Sequence, residues 1–167
     1  MKKTWIPNLL TSLNLFAGIL AIMLIITSHV YWAAGLIWGA IIFDGADGRL
    51  ARRFNVTSDF GKELDSLADL VSFGVAPAML LYFMAFSHYG WWIYPVIGLF
   101  PVAGALRLAR FNVQDIKGYF VGLPIPAAGG LLTVVALCSR TLPEVVLISS
   151  LLCLSGLMVS TIRVPKP

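Results

Sequence analysis

Residues 44–69 read DGADGRLARRFNVTSDFGKELDSLAD and place four of their five aspartates at the offsets of a defined pattern, in an otherwise apolar chain. The defined positions of this stretch are Asp44, Asp47, Gly48, Ala51, Arg52, Gly61, Asp65 and Asp69. Ionised groups are costly near a bilayer, so a cluster of this kind normally marks the place where a membrane protein works. Neighbouring carboxylates also predict a bound cation.

The composition of the chain is that of an integral membrane protein. Of its 167 residues, 59% are hydrophobic and 12% are charged, and the mean hydropathy is +0.87, far outside the range of soluble domains. Six apolar segments approach the roughly 20 residues that cross a bilayer. They cover residues 8–27, 31–51, 64–86, 91–112, 124–140 and 143–162. We therefore predict an all-α fold, a single-domain bundle of six transmembrane helices over residues 1–167.

The basic residues predict the orientation of this bundle. Eleven of the twelve lie before the first segment, near or beyond the C-terminal ends of the second and fourth, or after the sixth, and Arg140 is the exception. By the positive-inside rule, both termini and the acidic stretch are cytoplasmic. Because the net charge of +4 follows topology and forms no single patch, nucleic acid is not an expected partner.

Small residues predict where helices approach closely. Gly35 and Gly39 form a small-xxx-small pair on the second segment, and Gly129 and Gly130 lie near the start of the fifth. Such residues let helix backbones pack against each other in membranes. The connections are short, which favours antiparallel neighbours in a compact bundle.

The acidic residues are spaced to act together. Asp44 and Asp47 are three apart and Asp65 and Asp69 four apart, so each pair projects from one helix face. Two such faces would form an all-oxygen site that suits Mg²⁺, Mn²⁺ or Ca²⁺ and not zinc, since no His or Cys is near. Arg52 follows Asp44 by about two turns and can hold a phosphate. The alternative is a set of ion pairs with the nearby arginines, but the four aspartates outnumber the pairs needed.

At every defined position, the stretch from Asp44 to Asp69 resembles the signature of the CDP-alcohol phosphatidyltransferase family. The resemblance implies a six-helix membrane enzyme, usually a homodimer, in which an alcohol hydroxyl displaces CMP from a CDP-linked lipid. It implies that Asp44, Asp47, Asp65 and Asp69 bind Mg²⁺ or Mn²⁺, with two ions per site, and that Asp69 also takes the proton from the attacking hydroxyl.

The same resemblance implies where the donor lipid, CDP-diacylglycerol, binds. Gly48 and Gly61 would let the cytidine and pyrophosphate lie close to the helices, beside Arg52. Asn8 and Thr11 match the family's Pro-Asn-x2-Thr opening and would line the nucleotide pocket. All five residues are expected to contact CDP-diacylglycerol.

Two later segments bear on the acceptor. Residues 105–112 (ALRLARFN) and 120–129 (FVGLPIPAAG) resemble the branch of this family that uses L-serine and forms phosphatidylserine. Arg107 and Arg110 can grip the serine carboxylate, and Asn112 can add a hydrogen bond. The alternative is that these arginines follow the positive-inside rule or contact lipid phosphate. Residues 122–126 would form a rigid turn that either shapes the substrate site or only begins a helix.

The predicted activity is transfer of the phosphatidyl group to L-serine with release of CMP, in the cell membrane and on its cytoplasmic side. Another member of the same family, which makes phosphatidylglycerophosphate or phosphatidylinositol phosphate, is the nearest alternative because its acceptor is also anionic. A divalent-cation transporter is a second alternative, from a different class of membrane protein. Neither the midplane nor the outer half of the bundle carries a charged path for a transported ion.

Overall fold

The protein is almost entirely helical. The computed structural model describes residues 5–54, 58–113, 119–161 and 163–165, with side chains for residues 8–46, 58–113 and 122–161. The helices are α1 (Trp5–Ile26), α2 (Val30–Phe54), α3 (Asp59–Asp69), α4 (Ala76–Leu81), α5 (Tyr94–Val113), α6 (Ile125–Leu137) and α7 (Glu144–Val159). Two π-helical segments, Leu70–Val75 and Tyr82–Phe86, make residues 59–86 one continuous helical rod. The helical segments therefore follow the six apolar segments predicted above.

Three of these helices are long and apolar enough to cross a membrane, namely Asn8–Ile26, Asp59–Phe86 and Trp91–Val113. Three shorter apolar helices accompany them, Val30–Ala46, Ile125–Leu137 and Glu144–Val159. Large apolar side chains also cover the outside, for example Trp32 and Ile42, which are 75% and 72% exposed. Such an apolar exterior is typical of a bundle that faces lipid. The number of spans stays a prediction.

The core lies between the helices and contains both small and large side chains. Alanines of α1 and α2 are buried where these two helices pack along each other. Phenylalanines fill the centre where the rod of residues 59–86 meets α5 and α6, and Phe73, Phe86 and Phe100 are fully or almost fully buried. Because lipid is itself apolar, such rings stabilise a membrane bundle chiefly through close van der Waals packing.

The first π-helical segment has a cause in the sequence. Pro77 has no N–H to donate to the Phe73 carbonyl one turn earlier, and its ring would collide with that carbonyl in a regular α-helix. A wider turn over Leu70–Val75 relieves this conflict. The Phe73 carbonyl instead lies against Gly129 of α6, where a Cβ atom would be only 2.5 Å from the Phe73 oxygen.

The glycine predictions have different outcomes. Gly129 makes the close backbone contact expected of it, and a Cβ at Gly130 would lie 3.2 Å from the Ile41 side chain. For Gly35 and Gly39, a Cβ would meet nothing within 4 Å among the described residues. The prediction of a tight contact within the chain at this pair is therefore wrong for the described part of the protein, because this face of α2 points away from its neighbours.

Polar contacts show which helix ends lie together. The Lys62 Nζ donates to the Asn112 carbonyl at 3.3 Å, so the start of α3 meets the end of α5. At the other end of the bundle, the Tyr89 hydroxyl donates to Glu144 Oε2, which joins the connection before α5 to the start of α7. This hydrogen bond raises the pKa of Tyr89 above its ordinary value. The helices thus alternate in direction, as predicted from the short connections.

One element departs from the all-α prediction. Strands β1 (Tyr119–Val121) and β2 (Arg163–Pro165) form a two-stranded antiparallel ribbon. Strands of three residues are too short for an alternating pattern to reveal them in a sequence. Directly after β1, Gly122 has a φ of +70°, and a Cβ there would lie 2.6 Å from the Met158 carbonyl oxygen. Glycine is therefore required where this turn covers the end of α7.

Candidate active site

Three of the four predicted aspartates come together between α2 and α3. Asp44, Asp65 and Asp69 each offer a carboxylate oxygen, and these atoms all lie within 4.8 Å of one another. Asp69 is only 7% exposed, while Asp44 and Asp65 are half-buried. The carboxyl groups of Asp44 and Asp69 are within hydrogen-bonding distance. Carboxylates this close repel each other when ionised, so the arrangement favours a shared proton or a cation between them.

The local sequence explains how α3 presents its two aspartates. Ser58 precedes the helix in an extended conformation, and its hydroxyl accepts the Gly61 N–H at 3.0 Å. This N-cap sets the first turn of α3. From there, the four-residue spacing places Asp65 and Asp69 on one face, as predicted.

The remaining residues of the acidic stretch cannot be located in the same way. Asp47, Gly48 and Arg52 belong to α2, but their side chains and surroundings lie outside the described residues. The predicted fourth ligand and the predicted phosphate-binding arginine therefore stay predictions.

A polar stripe of α1 lies along α3. Asn8 contacts the start of α3, since a Cβ at Gly61 would be 3.0 Å from Asn8 Oδ1. Further along α1, Asn14 Nδ2 donates to Asp69 Oδ1 at 3.3 Å, and Thr11 between them is buried. The contacts advance in the same direction along both helices, so α1 and α3 are parallel. Three residues expected at the nucleotide pocket, Asn8, Thr11 and Gly61, thus share one face of the bundle with the carboxylates.

Sequence reasoning missed two residues of this region. Asn14 is fully buried beside Asp69, and Ser72 of the first π-helical segment donates to the Asn14 carbonyl at 2.9 Å. The sequence does contain a pattern that includes Asn14. Polar residues recur every three positions along one face of α1, at Asn8, Thr11 and Asn14. Ser72 had no such signal, since its place depends on the widened π-helical turn.

The residues predicted to bind serine have different partners. Arg107 is half-buried and near enough to Asp69 for their charges to interact, and its Nε is buried with no hydrogen-bond partner among the described residues. Arg110 Nη1 donates to the Val159 carbonyl at 3.0 Å and so holds the end of α7. Asn112 Nδ2 donates to Glu63 Oε1 at 3.3 Å and to Ser66 Oγ at 3.0 Å. Of the three, Arg107 is the residue whose charge interacts with Asp69 of the acidic cluster.

The donor set at the cluster fits a divalent cation. Three convergent carboxylates supply hard oxygen ligands, which Mg²⁺ and Mn²⁺ prefer, and the soft ligands that select zinc or copper are not among them. Partial burial would strengthen the attraction of such a site for a cation.

A helical fold with apolar helices long enough to cross a membrane and a partly buried carboxylate cluster is typical of a membrane protein whose functional site holds a divalent cation. The profile of the CDP-alcohol phosphatidyltransferase family matches residues 4–162, and the chain belongs to that family.

Several curated relatives carry a single name, CDP-diacylglycerol–serine O-phosphatidyltransferase. The protein of this name from Methanocaldococcus jannaschii is 47% identical, over 99% of this chain and 76% of its own length. Those from Helicobacter pylori strain 26695 and Bacillus subtilis are each 39% identical over 96% of this chain, covering 71% and 90% of their own lengths.

Proposed function

We propose that this protein is a CDP-diacylglycerol–serine O-phosphatidyltransferase. The observation that carries the proposal is the convergence of Asp44, Asp65 and Asp69 within a chain whose relatives bear that name. The reaction converts CDP-diacylglycerol and L-serine into phosphatidylserine and CMP.

The proposed chemistry is a direct displacement at phosphorus. The serine hydroxyl oxygen forms a bond to the phosphorus that carries the diacylglycerol, and the bond from that phosphorus to the CMP oxygen breaks. Asp69 accepts the hydroxyl proton, because a serine hydroxyl is a weak nucleophile at neutral pH and a positioned carboxylate is a suitable base. CMP leaves as the anion, and no covalent enzyme intermediate is needed.

Asp44, Asp47, Asp65 and Asp69 would hold Mg²⁺ or Mn²⁺, two ions per site. When bound, a metal pair supplies charge neutralisation for the entering and leaving oxygens. Asn8, Thr11, Gly48, Arg52 and Gly61 would hold the cytidine diphosphate part of the donor. The contact between Asn8 and Gly61 supports this assignment, because it brings two of these residues to one place at the start of α3.

Arg107 would grip the serine carboxylate. Its half-buried guanidinium faces the acidic cluster, and its Nε has no hydrogen-bond partner among the described residues. A guanidinium pairs with a carboxylate through two parallel hydrogen bonds. Arg110 and Asn112 would then support the site through the end of α7 and through α3, and a direct contact of either with serine remains part of the proposal.

We further propose that the bundle crosses the cell membrane six times, as a homodimer, with both termini and the active site cytoplasmic. The Cys138 thiol is exposed at the end of α6, which this topology places outside. A membrane-impermeant maleimide added to intact cells should label Cys138, and Cys138→Ser should abolish that labelling. Labelling that requires cell lysis would contradict the orientation.

The test of the activity is CMP release by the purified protein with CDP-diacylglycerol and Mn²⁺ or Mg²⁺. We expect release with L-serine and none with glycerol 3-phosphate or inositol phosphate. CMP release only with a phosphorylated acceptor would be consistent with the family but would contradict L-serine as the acceptor substrate. Metal flux into proteoliposomes without nucleotide, and no CMP release with any acceptor, would instead indicate a transporter.

A further inference from the structure

Asn14 is a buried amide in the middle of an apolar helix, and its main described partner is a carboxylate. The residue is 0% exposed, and its Nδ2 donates to Asp69 Oδ1 at 3.3 Å. Its Oδ1 is buried with no hydrogen-bond partner among the described residues. A buried amide is costly unless it is hydrogen-bonded, so the contact with Asp69 accounts for the presence of a polar side chain here.

The backbone around Asn14 is held in place from the opposite helix. Ser72 is fully buried, and its hydroxyl donates to the Asn14 carbonyl at 2.9 Å. Gly18, one turn further along α1, leaves the space that Ser72 occupies, since a Cβ there would lie 2.4 Å from Ser72 Oγ. These contacts fix the position of α1 along the first π-helical segment. They lie within one helical turn of Asp69.

We propose that Asn14 is a positioning residue for Asp69. The hydrogen bond from Asn14 Nδ2 to Asp69 Oδ1 restricts rotation of the carboxylate about its Cβ–Cγ bond. This inference rests on the proposed function, in which Asp69 receives the proton of the serine hydroxyl. Fixing a catalytic carboxylate in this way removes the need to orient it during the reaction.

The test compares Asn14→Leu, which keeps a similar volume without a donor, with the wild type. We expect kcat for CMP release to fall about 10–100-fold, the usual cost of removing a partner that orients a functional carboxylate. The KM values for serine and CDP-diacylglycerol should stay within about twofold, because the lost contact acts on the chemical step. The matched control is Thr133→Val, since Thr133 is fully buried and donates only to the Gly129 carbonyl of its own helix.

A second variant and a binding measurement make the result decisive. Asn14→Ser is too short to reach Asp69 but can bond within its own helix, and it should show the same loss. Mn²⁺ binding measured by calorimetry should weaken about tenfold in both variants, with thermal unfolding no lower than in Thr133→Val. In an Asp69→Asn background, Asn14→Leu should cause no additional loss of kcat.

The outcomes separate this inference from the proposed function. A folded Asn14 variant with the kcat and Mn²⁺ affinity of the wild type would overturn the positioning role. The role would also be overturned if Asn14→Leu lowered kcat by the same factor in the Asp69→Asn background as in the wild type. If the wild type itself releases no CMP with serine, the proposed function fails, and the Mn²⁺ affinities alone then decide whether Asn14 holds Asp69.

Discussion

The side chain of Asn8 lies directly against Gly61, so that a Cβ atom at position 61 would be 3.0 Å from Asn8 Oδ1. This contact joins the start of α1 to the first turn of α3, on the face of the bundle that also carries Asp69. Both residues are proposed to contact the nucleotide of the donor lipid. A change at either should therefore affect donor binding before it affects the chemical step.

Gly61→Ala should raise the KM for CDP-diacylglycerol several-fold with a smaller effect on kcat, because the added methyl group pushes the Asn8 amide from its place. The new Cβ would also lie 3.1 Å from the N-cap Ser58 Oγ, which offsets part of the roughly 1 kcal/mol by which alanine is favoured over glycine in a helix. Steady-state CMP release measures both constants. Gly156→Ala is the control, because a Cβ there meets nothing within 4 Å among the described residues. An unchanged KM in Gly61→Ala would argue against a nucleotide site at this contact.

Asp69→Asn should lower turnover at least about 100-fold, because the amide cannot accept the serine proton. Binding of CDP-diacylglycerol should be largely retained, since the donor contacts are assigned to other residues. Turnover and equilibrium binding of the donor, measured on the same preparation, check this. Asp59→Asn, an exposed acid at the start of α3, should behave as the wild type. Normal turnover in Asp69→Asn would remove the proposed base.

Arg107→Ala should raise the KM for serine about tenfold, which corresponds to the loss of about 1.4 kcal/mol of binding. The KM for CDP-diacylglycerol should change less, because Arg107 is assigned to the serine carboxylate. Kinetics with each substrate varied in turn separate the two effects. Arg140→Ala, at the opposite end of the bundle, tests for a general effect of lost charge. Equal increases in both KM values for Arg107→Ala would contradict the assignment.

Gly129→Ala should destabilise the protein by about 1–3 kcal/mol, the usual cost of overpacking. The new Cβ would lie 2.5 Å from the Phe73 carbonyl oxygen, and that oxygen belongs to backbone that cannot rotate away. Thermal unfolding in detergent measures the loss. Gly98→Ala, where a Cβ meets nothing within 4 Å among the described residues, should be neutral or slightly stabilising. Equal stabilities of the two variants would show that α6 can shift at no cost.

The Tyr89 contact with Glu144 predicts a stability effect that depends on pH. The hydrogen bond raises the pKa of Tyr89 in the folded protein, so its contribution is fully present below the ordinary tyrosine pKa of about 10. The contribution is lost as the pH rises through the higher folded value. The difference in melting temperature between the wild type and Tyr89→Phe should therefore exist at pH 8 and vanish in strong alkali. Tyr31→Phe serves as the control, and a difference independent of pH would exclude the hydrogen bond as its source.

Much of the fold could be predicted because the bilayer imposes strong rules on sequence. Apolar length located the helical segments, and the spacing of Asp44, Asp65 and Asp69 predicted their convergence. The π-helical turn after Asp69 was not predicted, because Pro77 indicates a disturbed helix but the sequence does not say whether a kink, a break or a wider turn relieves the conflict. The ribbon of β1 and β2 was also not predicted, because three residues are too few to show the alternation of apolar and polar residues that indicates a strand.

The site was less predictable where long side chains select among several partners. Arg107 and Arg110 lie three residues apart on one helix, and the spacing alone suggested that they act together. In the structure one guanidinium interacts with Asp69 and the other bonds to the Val159 carbonyl. Sequence spacing places the base of a side chain on a helix face, but rotamers decide what its far end contacts.

The parallel arrangement of α1 and α3 has a consequence for the biogenesis of the protein. A ribosome makes α1 before α3, so the Asn14 amide exists for a time without Asp69, its partner in the folded bundle. During that interval the amide cannot form this hydrogen bond. Arrival of α3 supplies its partner, and the same event completes the carboxylate cluster. The carboxylate cluster is therefore complete only once the third helical segment has been made and packed, because Asp65 and Asp69 both belong to it.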